Sequence, residues 1–551
     1  MAEKIGKFGA SGLLIMLACS VVVLKNNWTL DNDIWFILNC GRYVVETGTI
    51  PHEEFATMHE GLHYVMEQWL TAVIFWKVFA NFGADGVIAL SWIVGFILMF
   101  VYYRLCLYIS GGNKKVSVLL SVFVSGLIVP TFITTRPQIF STLLFLIEIF
   151  LLEKYFRERK IWTLCALPLL SIILINLHAA LWIMLLILIL PFIAESFILN
   201  FKDISTPFLP LILAAAGIFL AGFINPYGFE AMSFLFVSYN PEVHSATLEL
   251  FPINVKNIFG EVFFITSALL IVIFSKKELP YRYFFLTFGI MILALYVVRN
   301  IFLFFTMSTL ALAYVARDWH PFDKIFNLRH KLFIPLFLLC IPEIYFIYVK
   351  AENSILELHL LTKIIFALSI IFLICFIFFY RKEGKLFSEE IFILRRKPLI
   401  ALATLQIIFF FTWKIFSMPV QHYEPYKAAA DFLLTKNRAE DIILWTGFNS
   451  GGYFEFRGIK NYIDARPEIF ARSNNHKEDI ILEYFKFHNG ELEHREFFSR
   501  YNFTHIFITS EDLIPYLLIS QDKENYRLIY EYDFVNFRKV HARIFVPVRK
   551  N

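Results

Sequence analysis

The sequence predicts an α-helical polytopic membrane protein of about 13 transmembrane helices, with a long first outer loop of interfacial helices and a C-terminal extracytoplasmic α/β domain. Three observations predict it. Hydrophobic residues make up 58% of the 551 positions and charged ones 17%, whereas an ordinary soluble domain has an apolar share near half and about a quarter charged. The apolar residues gather in long runs, broken at charged, Pro-bearing or Asn-bearing positions. Basic residues alternate from one side of those runs to the other, as the cytoplasmic enrichment of Lys and Arg requires.

A helix needs about 20 mostly apolar residues to cross the hydrocarbon core. On that measure spans fall near 9–25, 84–103, 116–134, 138–153, 161–176, 179–198, 208–224, 259–275, 283–298, 301–316, 332–349, 361–380 and 398–417. The first run, Phe8 to Leu24 behind Lys4 and Lys7, has the form of a signal peptide, but no A-x-A-like cleavage site follows it, so it reads as a retained helix. With the N-terminus cytoplasmic, 23 Lys and Arg lie on the inner side up to residue 420, against nine on the outer side. The shortest breaks are Thr134 to Pro137, Asn176 to Ala180, and Arg299-Asn300. Merging any one pair of runs flips every later loop and carries the basic stretch Arg381 to Lys397 outside, so the charge pattern requires all three turns. An odd number of spans then sends the C-terminus out. The division is a transmembrane part over 1–419, whose first outer loop covers 26–83, and an extracytoplasmic α/β domain over 420–551. The expected location is the cell membrane, multi-pass, with membrane lipid as the main solvent.

A net charge of +4 over 551 residues, without basic and aromatic interleaving, excludes a nucleic-acid partner. Of the six cysteines, Cys19, Cys106, Cys165, Cys340 and Cys375 lie in or beside apolar runs and Cys40 stands alone in a polar loop. That pattern is no disulfide framework, and there is no CxxC.

Once the chain is oriented, the polar breaks that are not simply basic fall on the outer side. The first loop carries Asp31-Asn32-Asp33-Ile34-Trp35, Gly41-Arg42-Tyr43, Gly48-Thr49-Ile50-Pro51 and Glu67-Gln68-Trp69-Leu70. It reads as two interfacial helices, 32–47 and 61–81, with a turn at Gly48 to Pro51. Two carboxylates one residue apart, Asp31 and Asp33, suit a divalent cation or a general base toward a hydroxyl; Asp31 or Asn32 equally suits a helix cap. Thr134-Thr135-Arg136-Pro137 and Arg299-Asn300 put guanidinium groups at membrane depth, where they face a cavity or a partner. Two of them could grip a lipid-linked phosphate through forked hydrogen bonds, or each could pair with a carboxylate or snorkel. His178, in Asn176-Leu177-His178, reads as a ligand to that phosphate or as a packing residue. Asn225-Pro226-Tyr227-Gly228 reads as a turn first, and Glu242, His244 and Glu249 follow it.

In the C-terminal domain the pattern gives a helix at 425–436, strands at 442–445 and near Tyr462, helices within 476–500, a strand at 505–509 and closing strands near 526–531 and 540–547. Its densest polar stretch is Trp445 to Tyr453, followed by Tyr462-Ile463-Asp464-Ala465-Arg466-Pro467. Gly447, Gly451 and Gly452 allow close backbone approach, without Walker or Rossmann spacing. The stretch reads as an acceptor-binding face or as a tight turn.

This layout resembles the GT-C superfamily of membrane glycosyltransferases, which includes the oligosaccharyltransferase catalytic subunit and the protein O-mannosyltransferases. It is similar above all to a group of poorly characterised bacterial membrane proteins with the same motif series. That series appears here as Asp33-Ile34-Trp35 with Gly41-Arg42, Gly48 to Pro51, Arg136-Pro137-Gln138, Asn176-Leu177-His178, Asn225 to Gly228, Arg299-Asn300, and Gly451-Gly452-Tyr453 with Asp464-Ala465-Arg466. The resemblance covers nearly the whole chain. It implies hexosyl or pentosyl transfer from a polyprenyl-phosphate sugar donor to a glycan, lipid or protein acceptor on the outer face. The first-loop acid, Asp33 with Asp31 as the alternative, becomes the base or the ligand of a divalent cation, Mg or Mn. Arg136, Arg299 and His178 become the donor-phosphate contacts, and Trp35, Arg42, Glu67, Asn176, Asn225, His244, Asn300, Tyr453, Asp464 and Arg466 the substrate contacts. Two departures stand out: no Trp-Trp-Asp-Tyr-Gly motif is present, and a position often acidic in relatives is split between Glu53 and Glu54. Protein N-glycosylation is therefore not implied. The alternatives are a transporter or flippase of a lipid-linked glycan, which would want mid-span charges or repeated halves, and a scaffold whose C-terminal domain recruits a partner.

Overall fold

The computed structural model describes residues 30–132, 134–202, 208–238, 250–253, 258–317, 423–535 and 539–548. The spans expected at 9–25, 332–349, 361–380 and 398–417 lie outside these residues, as does His244.

Helix α1 (Ile34–Thr47) begins two residues later than the sequence suggests, because Asp31 turns the chain first: its Oδ1 accepts the Asp33 N–H at 3.1 Å. It ends at Gly48, whose φ of 69° suits only a residue without Cβ, with its N–H returning to the Val44 carbonyl. Helix α2 (Trp69–Ile109) runs 41 residues and bends at Gly83, φ 65° and ψ −160°. The non-helical backbone at Gly83 divides it into two helices, at the expected boundary between the interfacial helix and the following span. The expected helical start at residue 61 is replaced by an irregular loop, because backbone bonds fold that segment back on itself. Glu54 N–H donates to the Leu62 carbonyl at 2.8 Å and Tyr64 N–H to the His52 carbonyl at 2.9 Å. Gly41 lets α1 lie directly on α2, since a Cβ there would overlap the Ala72 carbonyl.

Eight helices follow: α3 (Lys114–Phe132), α4 (Gln138–Glu158), α5 (Trp162–Cys165), α6 (Leu167–Leu177), α7 (Ile183–Phe201), α8 (Phe208–Ala221), α9 (Phe229–Ser238) and α10 (Ile258–Lys276). Then come α11 (Tyr281–Tyr296) and α12 (Val298–Val315), the last opening with a 3₁₀ turn and widening to a π turn at Phe304–Ser308. Helix α9 lies where the sequence suggested only loop. The three short breaks are all present. Pro137 begins α4, extended His178 (φ −164°, ψ 81°) separates α6 from a 3₁₀ turn leading into α7, and extended Val297 separates α11 from α12. Among the described residues three helices are long and apolar enough to cross a membrane: Trp69–Ile109, Ala179–Phe201 and Val298–Val315. Trp162–Leu177, Phe208–Ala221 and Tyr281–Tyr296 are apolar but shorter. Away from the first loop, Arg282 at the start of α11 clamps Glu153 of α4 at 2.8 Å and Glu195 of α7 at 2.5 Å. A buried guanidinium with two carboxylates fixes three helices at once.

The C-terminal part packs helices on one mixed sheet. After α13 (Glu424–Lys436) come β1 (Ile443–Trp445), α14 (Gly451–Phe456), β2 (Lys460–Asn461), α15 (Pro467–Phe470), α16 (Arg472–Asn475), α17 (Ile480–His488), α18 (His494–Tyr501), β3 (His505–Thr509), α19 (Leu513–Gln521), β4 (Tyr526–Val535) and β5 (Lys539–Pro547). The strand order is β2-β1-β3-β5-β4, with β1 parallel to both neighbours and β3, β5 and β4 antiparallel. The Gly-rich stretch proves to be a helix, α14, laid against α1. Gly451 is needed because a Cβ would overlap the Ile463 carbonyl, and Gly452 because a Cβ would stand 3.2 Å from the Phe36 backbone N. Trp35 then packs edge-on against Tyr453 and Tyr423, with centroids 4.7 and 4.8 Å away.

Substituting Gly41 by Val should separate α1 from α2 and destabilise the protein by about 1–3 kcal/mol, the usual cost of overpacking. Thermal unfolding in detergent measures it; an unchanged melting temperature would contradict the close approach.

Candidate active site

A cavity of about 630 Å³ lies between the first loop, the ends of α4, α6 and α11, and the C-terminal part. Its walls carry Asp33, Glu67, Arg136, Gln138, His178, Arg299, Asn300, Arg466 and Glu468. Facing these from the C-terminal part are Phe448, Asn449, Tyr484, Phe485, His488, Glu511 and Asp512.

Arg136 sits just before α4, and Pro137 at the helix start fixes its direction. Its Nε lies 2.9 Å from Asp31 Oδ1 and its Nη2 2.9 Å from Asp33 Oδ2. The Asp31 N–H also donates to Thr135 Oγ1 at 3.0 Å. One guanidinium therefore ties both first-loop aspartates to the α3–α4 turn, and the carboxylate pairing is the one of the two roles foreseen for Arg136 that the geometry displays. A guanidinium also stands where a cation bridging Asp31 and Asp33 would sit. Among the described residues no group of three His, Cys, Asp or Glu side chains is placed to hold a metal ion. The residues present do not fit a Mg or Mn site centred on Asp33.

Glu67 is held at the cavity wall by the N–H groups of the turn before α7: Ala179 N–H donates to its carbonyl at 2.7 Å and Ala180 N–H to its Oε2 at 3.2 Å. Burial pushes its carboxyl up to about 8, with the Glu468 charge adding and Arg299 opposing. His178 Nε2 is 3.8 Å from Glu67 Oε2, and its Nδ1 hydrogen-bonds Ser141 Oγ at 2.7 Å. Burial, reinforced by Arg299, lowers His178 to about 3, so the imidazole is neutral near pH 7. The imidazole, hydrogen-bonded to Ser141, stands beside Glu67 at the cavity wall. Gln138, 6% exposed, has no hydrogen-bond partner for its Oε1 among the described residues at the cavity wall.

Glu468 enters from the C-terminal part on α15. Burial raises its carboxyl to about 7, with Arg466 opposing and the charges of Asp464 and Asp33 adding. Its place is set by Arg466, 1% exposed, which inserts between the two parts of the protein. The guanidinium meets Glu54 Oε2 at 2.8 Å, Glu455 Oε2 at 3.3 Å and Asp464, whose Oδ2 also accepts from Arg466 Nε at 2.6 Å. It lies over the Phe36 and Tyr64 rings, 5.5 and 5.1 Å from their centroids. Glu54 Oε1 accepts the Ala56 and Thr57 N–H groups, both at 2.8 Å. Burial and the Asp464 charge drive the Glu455 carboxyl well above the usual range, with Arg466 opposing.

The structure thus brings together Asp33, Asp31, Arg136, Arg299, His178, Glu67, Asn300 and Arg466. It gives the other named residues packing surroundings away from the cavity. Trp35 and Tyr453 form the α1–α14 contact, Arg42 lies over the Trp76 and Phe456 rings, and Asp464 serves Arg466. Asn176 bonds Trp69 Nε1 and the Ile172 and Ile224 carbonyls. Asn225 closes its own turn, its Oδ1 accepting the Tyr227 N–H at 2.8 Å, and Tyr227 OH donates to the Pro51 carbonyl at 2.7 Å. Glu468 and Gln138 were not singled out from sequence. Gln138 stood within a quoted motif, and Glu468 followed Asp464-Ala465-Arg466-Pro467 by one residue.

An array of apolar helices, a long structured first loop bearing paired aspartates, and a small mixed α/β part thus surround the cavity. No protein-family model matches the sequence, and no curated protein does. Among solved structures the chain is similar to the oligosaccharyltransferase AglB of Archaeoglobus fulgidus in complex with an inhibitory peptide and a dolichol-phosphate. The TM-score is 0.56 at 11% identity, over 91% of this chain and 69% of that one. It is similar as well to ArnT of Cupriavidus metallidurans bound to undecaprenyl phosphate, with TM-score 0.51 and 11% identity over 97% of this chain and 98% of that one. At these identities the likeness establishes the shared fold.

Replacing Arg466 by Met leaves Glu54 and Asp464 buried without their counter-charge, a loss of about 3–5 kcal/mol by comparison with broken buried pairs. Limited proteolysis should then release the C-terminal part. Replacement by Lys should recover little of it, because a point charge cannot reach three carboxyl groups in one plane. A Met variant as protease-resistant as the parent would contradict this.

Proposed function

We propose that the protein is a membrane glycosyltransferase that moves a sugar from a polyprenyl-phosphate donor to an acceptor at the extracytoplasmic face. The observation that carries this reading is the lining of the cavity: two guanidinium groups, Arg136 and Arg299, stand with three carboxyl groups, Asp33, Glu67 and Glu468, around one space. Displacement at an anomeric carbon needs both kinds of group, with positive charge where phosphate departs and a carboxylate where an acceptor hydroxyl enters. The fold shared with AglB and ArnT, whose structures hold dolichol-phosphate and undecaprenyl phosphate, supports a lipid phosphate as the ligand.

In this reading Arg299 is the principal phosphate contact. Arg136 keeps the aspartates in register and adds its charge to the same site. Asp33, the first-loop carboxylate of the family pattern, holds Arg136 in place beside the donor phosphate. The buried, water-poor setting strengthens each of these interactions. The C-terminal wall of Phe448, Asn449, Tyr484 and Glu511 is the acceptor side, and the sugar is a hexose or a pentose.

Replacing Arg299 by Gln should weaken binding of undecaprenyl phosphate about 10- to 150-fold, since a charge-assisted phosphate bond is worth about 1.5–3 kcal/mol. The melting temperature should not change. Replacing Asp33 by Asn should lower sugar transfer about 100-fold or more. Full transfer by that variant from a labelled polyprenyl-phosphate donor sinks the assignment of Asp33, and lipid movement in vesicles without any transfer would favour a flippase.

A further inference from the structure

Asp33 is poorly free to take a proton. Its Oδ2 lies 2.9 Å from Arg136 Nη2, and the same guanidinium holds Asp31 at 2.9 Å. Protonating Asp33 would strip a partly buried guanidinium of one of its partners, which costs free energy that a base should not have to supply. Glu468 stands differently. It lines the same cavity from the C-terminal part, close enough for the Asp33 charge to act on it. Its carboxyl makes no ion pair among the described residues.

The chain around Glu468 is rigid. Arg466 anchors it from one side through the buried carboxylate network, and Pro467 sets the first turn of α15. From the other side Asn474 Nδ2 donates to the Glu468 carbonyl at 3.0 Å and Asn475 Nδ2 to the Ile469 carbonyl at 2.9 Å. A functional carboxyl on a backbone fixed at both ends meets the positional demand of proton transfer.

The geometry points to Glu468, carried into the cavity by the C-terminal part, as the group that accepts the proton of the acceptor hydroxyl, with Asp33 reserved for orienting Arg136. This rests on the transferase reading. The acceptor oxygen forms a bond to the anomeric carbon. The bond from that carbon to the phosphate oxygen breaks, and its electron pair leaves on polyprenyl phosphate, opposite Arg299 and Arg136. The hydroxyl proton passes to the Glu468 carboxylate and later to solvent. The charged groups facing Glu468 are Arg466 and Asp464 on its own loop, Asp33 before α1, and Glu67 before α2. With its carboxyl near 7, Glu468 is ionised above that pH and neutral below it. Turnover should therefore rise with pH up to about 7 and then level off.

The test uses the full-length protein in nanodiscs with a panel of polyprenyl-phosphate monosaccharides, and dicyclohexylcarbodiimide, which modifies protonated carboxyl groups in apolar surroundings. Wild-type protein should transfer from at least one donor, with the acid limb near pH 7. E468Q should lose about 100-fold or more in kcat while binding undecaprenyl phosphate within about twofold of wild type and melting at the same temperature. E468D should recover part of the rate, and E67Q should keep the acid limb. Carbodiimide should label Glu468 at pH 6 and fade as pH rises through 7. Wild-type turnover by E468Q, an acid limb that survives in it, or no labelling of Glu468 at pH 6 overturns the proposal. Labelling of Glu468 together with no turnover of any donor by the wild type overturns the transferase reading instead.

Discussion

The buried guanidinium of Arg466 is the constraint on which the rest of the structure depends. Its charge is removed from water and is tolerated only because Glu54, Asp464 and Glu455 surround it. Glu54 belongs to the loop after α1 and the others to the C-terminal part, so neither half of this network is stable in place without the other. Satisfying Arg466 therefore closes the C-terminal part over the first loop. Contacts at the edge follow the same closure: Met58 N–H donates to the Asn461 carbonyl at 3.0 Å, and Lys460 pairs with Glu60 at 2.6 Å.

The cavity is a consequence of that closure. One wall is made by breaks between apolar helices, where the chain reverses and leaves polar groups behind: Arg136 just before α4, His178 before α7, Arg299 in the opening turn of α12. The facing wall comes from the C-terminal part. Sugar transfer suits such a seam. In the proposed transfer a lipid carrier and a hydrophilic acceptor meet in one place, and reaction needs both while excluding bulk water from the bond being broken. The separate clamp of Arg282 on Glu153 and Glu195 fixes the helix array independently of the seam.

Much of the candidate site was legible in the sequence because membrane orientation is a strong filter. Charge bias put Asp33, Glu67, Arg136, His178 and Arg299 on one side, and the cavity gathers all five. The breaks that carry three of them were legible for the same reason. What escaped depends on contacts between distant segments. Gly451-Gly452 looked like a ligand loop because close approach to a substrate and to a helix require the same absence of Cβ, and here the neighbour is α1. Residues 61–68 looked helical, yet the fold-back of the Glu54 loop, which serves Arg466, takes them out of the helix. Asp464 and Arg466 had the composition of a binding motif, but its polar groups are spent on one another and on Glu54. Glu468 was invisible because nothing local marks it; only Arg466, seated on the first loop, brings it opposite Asp33.

The central claim is that this seam is a lipid-phosphate site formed jointly by membrane helices and the C-terminal part. A cryo-EM structure of the full-length protein in nanodiscs with undecaprenyl phosphate tests it directly. The account predicts phosphate density in the cavity within hydrogen-bonding distance of Arg299, with Arg136 still bridging Asp31 and Asp33, and the isoprenoid tail leaving toward the bilayer. An empty cavity, with the lipid bound elsewhere on the helices or not bound at all, would contradict it.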